Sequence, residues 1–179
     1  TITVIDITPP TFVEVLPTSN LVVECDDVPD AEILTATDTC GSASVTVEDV
    51  RTDGNCENNY SIARTWTATD ECGLKTTHTQ IITVQDTTPP TFVGTLPSDL
   101  TVECDAIPTA DTLTATDNCG DATVGVVDVR TDGDCINNYI ISRIWTATDE
   151  CGLMTTHTQI ITVEDTTAPV PSSPFDETL

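Results

Sequence analysis

Eight cysteines fall into two sets of four, and the second set repeats the first at a displacement of 79 positions: Cys25, Cys40, Cys56 and Cys72, then Cys104, Cys119, Cys135 and Cys151. Between residues 25–86 and 104–165, 45 of 62 positions are identical, the self-similarity that marks a tandem array. The phrase ITVIDITPPTFVEVLP (2–17) recurs as ITVQDTTPPTFVGTLP (82–97), and ITVEDTTAPVP (161–171) opens in the same way. This predicts the end of one repeat at 1–7, a first full repeat at 8–86 and a second at 87–166. Residues 167–179 then form a linker or the start of a third copy, and the chain is expected to be a piece of a longer array.

Each repeat reads as all-β. Thr, Val and Ile dominate, and Pro, Gly, Asp and Asn punctuate at intervals suited to short strands. Expected strands in the first copy are 21–24, 32–37, 44–50, 60–69 and 75–84. In the run YSIARTWTAT, period-2 alternation puts Tyr60, Ile62, Arg64, Trp66 and Ala68 on one face, read as the core side. Tyr139, Ile141, Arg143, Trp145 and Ala147 repeat that face. About seven short strands in some 80 residues predict tandem immunoglobulin-like β-sandwich repeats joined by short Pro-containing linkers.

Composition narrows the partners. Thirty acidic and five basic residues give a formal net charge of −25, which argues against nucleic acid and anionic membranes as partners. No apolar run is long enough for a membrane span, and any export signal would lie outside this sequence. An even cysteine count without a C-x-x-C pair argues for disulfides over zinc, and disulfides imply an oxidising compartment.

Four cysteines per repeat allow three pairings. The two strands ending in the TATD-x-CG phrase are each preceded by a cysteine, and as strands B and F of a sandwich they run in one direction. A strand of eight to ten residues spans roughly 26–33 Å, whereas bridged Cα atoms lie within about 7 Å. Within a repeat this leaves Cys25–Cys56 at one pole and Cys40–Cys72 at the other, with Cys104–Cys135 and Cys119–Cys151 in the second copy.

The same phrases deliver Asp38, Asp70 and Glu71 to one pole of the first repeat, and Asp117, Asp149 and Glu150 to that of the second. In a head-to-tail string the linkers bring Asp6 towards the first set and Asp86 towards the second. Such carboxylate clusters, with no Lys or Arg nearby, suit Ca²⁺ better than Mg²⁺. The competing role is turn capping, each Asp bonding backbone amides beside its Gly. A second acidic cluster, Glu24, Asp26, Asp27 and Asp53, sits at the opposite pole, where Asp53-Gly54 is first a turn signal. His78 and His157 occupy equivalent strand positions and read as packed side chains. No nucleophile elbow, triad order or phosphate-cradling loop is present, and a site duplicated in every repeat suits a scaffold rather than an enzyme.

The combination TATD-x-CG … TQIITV-x-DTTPPTF resembles hyalin-repeat (HYR)-like modules of bacterial surface proteins, especially the Cys-containing version in giant adhesins of Bacteroidetes, including gliding-motility adhesins. Cys40, Cys72, Cys119 and Cys151 stand where that family more often has Ser. The resemblance implies an immunoglobulin-like sandwich, display on the outer cell surface and a part in adhesion or motility. On that basis the chain is expected to be a non-enzymatic stalk or extender whose partners are neighbouring repeats and an extracellular surface, glycan or protein. The alternative is a carbohydrate- or protein-binding module of a secreted protein, which exposure of Trp66 and Trp145 would favour.

Overall fold

A computed structural model describes residues 1–170; 171–179, part of the segment read as linker or third repeat, lie outside the described residues. The first repeat contributes β1 (Thr11–Phe12), β2 (Asn20–Glu24), β3 (Ala36–Thr37), β4 (Ala43–Cys56), β5 (Asn59–Asp70) and β6 (Lys75–Gln85). The second contributes β7 (Thr91–Val93), β8 (Leu100–Glu103), β9 (Thr114–Thr116), β10 (Ala122–Asp132), β11 (Tyr139–Asp149) and β12 (Met154–Glu164). The four-stranded sheets run β2-β6-β5-β4 and β8-β12-β11-β10, and the two-stranded ones β1-β3 and β7-β9. Within the first large sheet β2 is parallel to β6 and the other pairs are antiparallel. The fold is thus a tandem pair of immunoglobulin-like β-sandwiches. Among the described residues no helix is long and apolar enough to cross a membrane.

The chain divides into two compact units that do not coincide with the sequence repeats. One comprises Thr1–Pro90 together with the turns Thr116–Ala122 and Thr148–Met154; the other comprises Thr91–Ala115, Thr123–Ala147 and the chain from Thr155.

The core lies on the face that alternation predicts. Along β5, Arg64, Trp66, Ala68 and Asp70 are buried in every second position, and Gln80, Ile82 and Val84 answer them from β6. Trp66 and Trp145 are each 1% exposed. The expected strand at 32–37 shrinks to Ala36–Thr37, because side chains occupy the backbone groups a ladder would use. The Glu32 carbonyl accepts the Trp66 indole N–H at 2.9 Å, and the Thr35 N–H donates to the Glu14 carboxylate at 2.7 Å. Strand β1 was not foreseen; its two residues pair with that remnant.

Two arginines are buried within this apolar face. Register sets Asp49 opposite Arg64, and cross-strand opposition lets the pair meet. Arg64 Nε and Nη2 grip both Asp49 oxygens at 2.9 Å, and Nη1 donates to the Pro29 carbonyl at 2.9 Å. Arg143 repeats this with Asp128 and the Pro108 carbonyl at 2.8–3.0 Å. The guanidiniums are 7% and 5% exposed but the aspartates 42% and 44%, so only one member of each pair loses most of its hydration. The Arg143 hydrogen bonds hold the Asp128 carboxyl below its ordinary value of 3.8 despite partial burial.

Arg143→Met should therefore lower unfolding free energy by about 1–3 kcal/mol in denaturant titration, since it strands the Pro108 carbonyl and the Asp128 pair. Because the folded pKa of Asp128 is depressed, its contribution is complete above pH 3.8 and is lost as pH falls through the lower folded value. The difference between wild type and variant should accordingly shrink below that pH.

Candidate metal centre

The TATD phrases at 67–70 and 146–149 end in the same small turn. Asp70 Oδ1 accepts the N–H groups of Cys72 and Leu74 at 2.9 Å, and Asp149 Oδ1 accepts those of Cys151 and Leu153 at 2.8 and 2.9 Å. Gly73 and Gly152 close these turns at φ +88°, a conformation that favours glycine. Asp38 and Asp117 bond the N–H of Cys40 and Cys119 at 2.8 Å. The linker aspartates follow suit: Asp6 bonds Thr8 at 3.0 Å and Asp86 bonds Thr88 at 3.2 Å.

Capping uses only one oxygen of each carboxylate. The Oδ2 atoms of Asp38, Asp70, Asp86, Asp117 and Asp149 are buried without a hydrogen-bond partner. Asp86 and Asp149 are 6% and 9% exposed. Within the first compact unit, Asp86 just after β6, Asp117 after β9 and Asp149 at the end of β11 bring carboxylate oxygens within 4.8 Å of one another. None of the four ion pairs among the described residues reaches this cluster. Burial, and then the charges of Asp117, Asp149 and Glu24, push the Asp86 carboxyl above its ordinary value of 3.8. Buried anionic oxygens without partners are costly, and a hard divalent cation with oxygen ligands is what would satisfy all three.

Around this cluster Asn59 Oδ1 accepts the Asp86 N–H at 2.7 Å. Glu24 accepts the backbone N–H of Thr87 at 3.1 Å and the Thr87 hydroxyl, and a Glu24 oxygen approaches Asp86 and Cys119. Sequence reasoning missed Asn59 and placed Glu24 in a separate cluster. The repeated Asn-Asn-Tyr at 58–60 and 137–139 was the available signal.

Of the carboxylates expected at this pole, Glu150 stands apart, with Asn58 Nδ2 at 3.4 Å from its Oε2. In the first repeat Asp6 and Asp38 converge on Cys40, and Asp70 is not part of that group although its Oδ2 is buried and unpartnered. Glu71 accepts the Ser42 hydroxyl at 2.7 Å. In the second acidic cluster Asp53 pairs with Arg51 at 2.7 Å. His78 donates from Nε2–H to the Pro17 carbonyl, 2.9 Å away, and leans on Trp66.

The expected disulfide pairing is overturned. Cys25 bonds Cys119 and Cys56 bonds Cys151, with Cα separations of 5.6 and 5.2 Å, while Cys40, Cys72, Cys104 and Cys135 are free. None of Cys25–Cys56, Cys40–Cys72, Cys104–Cys135 or Cys119–Cys151 forms. Cys25 follows β2, which ends beside the end of β6, and Cys56 faces Asn59 at the β4–β5 turn. What differs is the partner. The turns 116–122 and 148–154 belong to the first compact unit and carry Cys119 and Cys151 to the pole where Cys25 and Cys56 lie.

Three outcomes follow. Peptide mapping under non-reducing conditions should recover Cys25–Cys119 and Cys56–Cys151. Each bond spans 94 or 95 residues, so losing the first by Cys25→Ser should cost about 4–5 kcal/mol in the chain-entropy picture. In EDTA, Asp86→Asn should raise the melting temperature. The folded pKa of Asp86 is raised, so its contribution to stability is complete below pH 3.8 and is lost as pH rises through the folded value. The gain from Asp86→Asn should therefore grow with pH across that window and vanish in acid.

No protein-family model matches the chain, and no curated protein matches it. Among solved structures it is similar to the EC1-4 fragment of Drosophila N-cadherin, with a TM-score of 0.31 and 16% identity over 87% of this chain and 50% of that one. It is also similar to protocadherin gamma B7 extracellular cadherin domains 1-4, with a TM-score of 0.34 and 18% identity over 88% and 51% of the two chains. Human mucin-like protocadherin EC1-2 gives a TM-score of 0.33 and 13% identity over 87% and 98%. The chain spans about half the length of the first two structures.

Proposed function

We propose that the chain is a pair of extender repeats from a secreted surface adhesin of the hyalin-repeat type, stiffened by disulfides and Ca²⁺ and serving attachment or gliding rather than catalysis. The observation that carries this reading is one pole of the first unit. There, two disulfides and three carboxylates, each with one buried oxygen that no hydrogen bond reaches, gather the end of one repeat, the linker aspartate and two turns of the next repeat's sequence. The bonds join cysteines 94 and 95 residues apart, so they tie the strand ends of the first repeat to turns of the second repeat's sequence. The disulfides favour an oxidising, extracellular setting, and the sequence resemblance to bacterial surface modules supports display on the outer cell surface.

The competing reading, a sugar-binding module, loses its best candidates. Trp66 and Trp145 are buried with their indole N–H groups bonded to the Glu32 and Asp111 carbonyls. Tyr60 and Tyr139 lie under the guanidiniums of Arg51 and Arg130.

Calorimetric melting of the oxidised chain tests the proposal. Ca²⁺ at 100 times its dissociation constant should add about 2.7 kcal/mol of stability, or roughly 5–10 °C in a chain of this size. The double variant Asp86→Asn, Asp149→Asn should abolish the shift while keeping the fold. An unchanged melting temperature in millimolar Ca²⁺ would remove the cation from the proposal.

A further inference from the structure

The two disulfides join one cysteine type to another. Cys25 and Cys56, at the strand-end pole of the first copy, take Cys119 and Cys151, which are the second copy's counterparts of Cys40 and Cys72. The four free thiols are then one complementary pair of each type: Cys40 and Cys72, and Cys104 and Cys135. We propose that this bridging is a property of the repeat, so that Cys104 bonds the Cys40-type and Cys135 the Cys72-type cysteine of a further copy, making a covalent ladder that crosses every linker twice. The inference rests on the extender reading.

Three further observations point to a second copy of the repeat as the partner. The pole carrying Cys104 and Cys135 is already built. Asn138 Oδ1 accepts the Asp165 N–H at 3.0 Å, Glu103 takes the Thr166 N–H at 3.2 Å, and Asp165 caps Thr167 at 3.2 Å, as Asn59, Glu24 and Asp86 do in the first copy. Yet Asp165 is exposed where Asp86 is 6% exposed. At the other end, segment 2–6 repeats the sequence of 82–86. Ile82 and Val84 are 0% and 1% exposed, whereas Ile2 and Val4 are 93% and 87% exposed. Finally, Cys40 approaches Asp6 and Asp38 much as Cys119 approaches Glu24 and Asp86, and Cys119 is disulfide-bonded, so Cys40 is a disulfide former rather than a metal ligand.

Each bond removes two protons and two electrons from a thiol pair, which an exchanging disulfide such as oxidised glutathione accepts. One cysteine thiolate attacks a glutathione sulfur and expels a glutathione thiolate. The partner thiolate then attacks the resulting mixed disulfide and expels the second.

The test is the full chain lengthened by one extra copy of residues 87–165 inserted after Asp165, refolded in a glutathione redox buffer. Disulfides are mapped by mass spectrometry and free thiols counted by alkylation. The proposal expects bonds from Cys104 and Cys135 to the added copies of Cys119 and Cys151, with four thiols left free, as in the shorter chain. Retention of Cys25–Cys119 and Cys56–Cys151 without bonds to the added copy overturns the ladder but leaves the extender reading standing. Bonds confined within repeats, with no free thiols, overturn both.

Discussion

A carboxylate has two oxygens, and in this fold they are given opposite environments. One caps a turn, and the other is buried without a partner. The cap fixes the turn that presents a cysteine two residues later, so cysteine position and buried charge are set by the same Asp. In a chain with net charge −25, clustering Asp86, Asp117 and Asp149 works against folding unless something positive is added. The two disulfides beside the cluster hold those carboxylates together whether or not it is neutralised. A cation held by these carboxylates would act on the same pole as the covalent bonds.

The interior shows a second recurring solution. Long polar side chains on the Trp face reach carbonyls of proline-containing, non-ladder segments. Arg64 bonds Pro29, Arg143 bonds Pro108, His78 and His157 bond Pro17 and Pro97, and Thr76 bonds Pro10. Proline lacks an N–H and keeps the chain out of regular pairing, which frees its neighbourhood's carbonyls to accept. The sandwich edges are thus tied by side chains where backbone ladders are short.

Much of this was legible in the sequence. The 79-residue period, the alternation through Trp66 and the turn role of Asp-x-Cys-Gly are local or periodic signals. Strand 32–37 was misread because β-branched and Thr-rich composition cannot reveal that Glu14 and Trp66 claim its backbone from afar. The disulfides failed for a different reason. Two copies of one sequence offer each cysteine chemically identical partners in its own repeat and in the next, and local sequence cannot choose between them. The head-to-tail argument that carried Asp86 towards Asp117 and Asp149 applied equally to Cys119 and Cys151, which follow those aspartates by two residues.

The bridges change how tension would travel through the chain. Between Cys25 and Cys119 the covalent route is one sulfur–sulfur bond instead of 94 residues of backbone, and the second bridge offers a parallel route of similar reach. Fully extended, those residues would span about 310–340 Å, and none of that length can be paid out while the bridge is intact. Pulled from its ends, the oxidised protein behaves as a short tether with its slack locked away, and reduction converts it into a long and compliant one. A reducing environment would therefore set its reach as well as its stability.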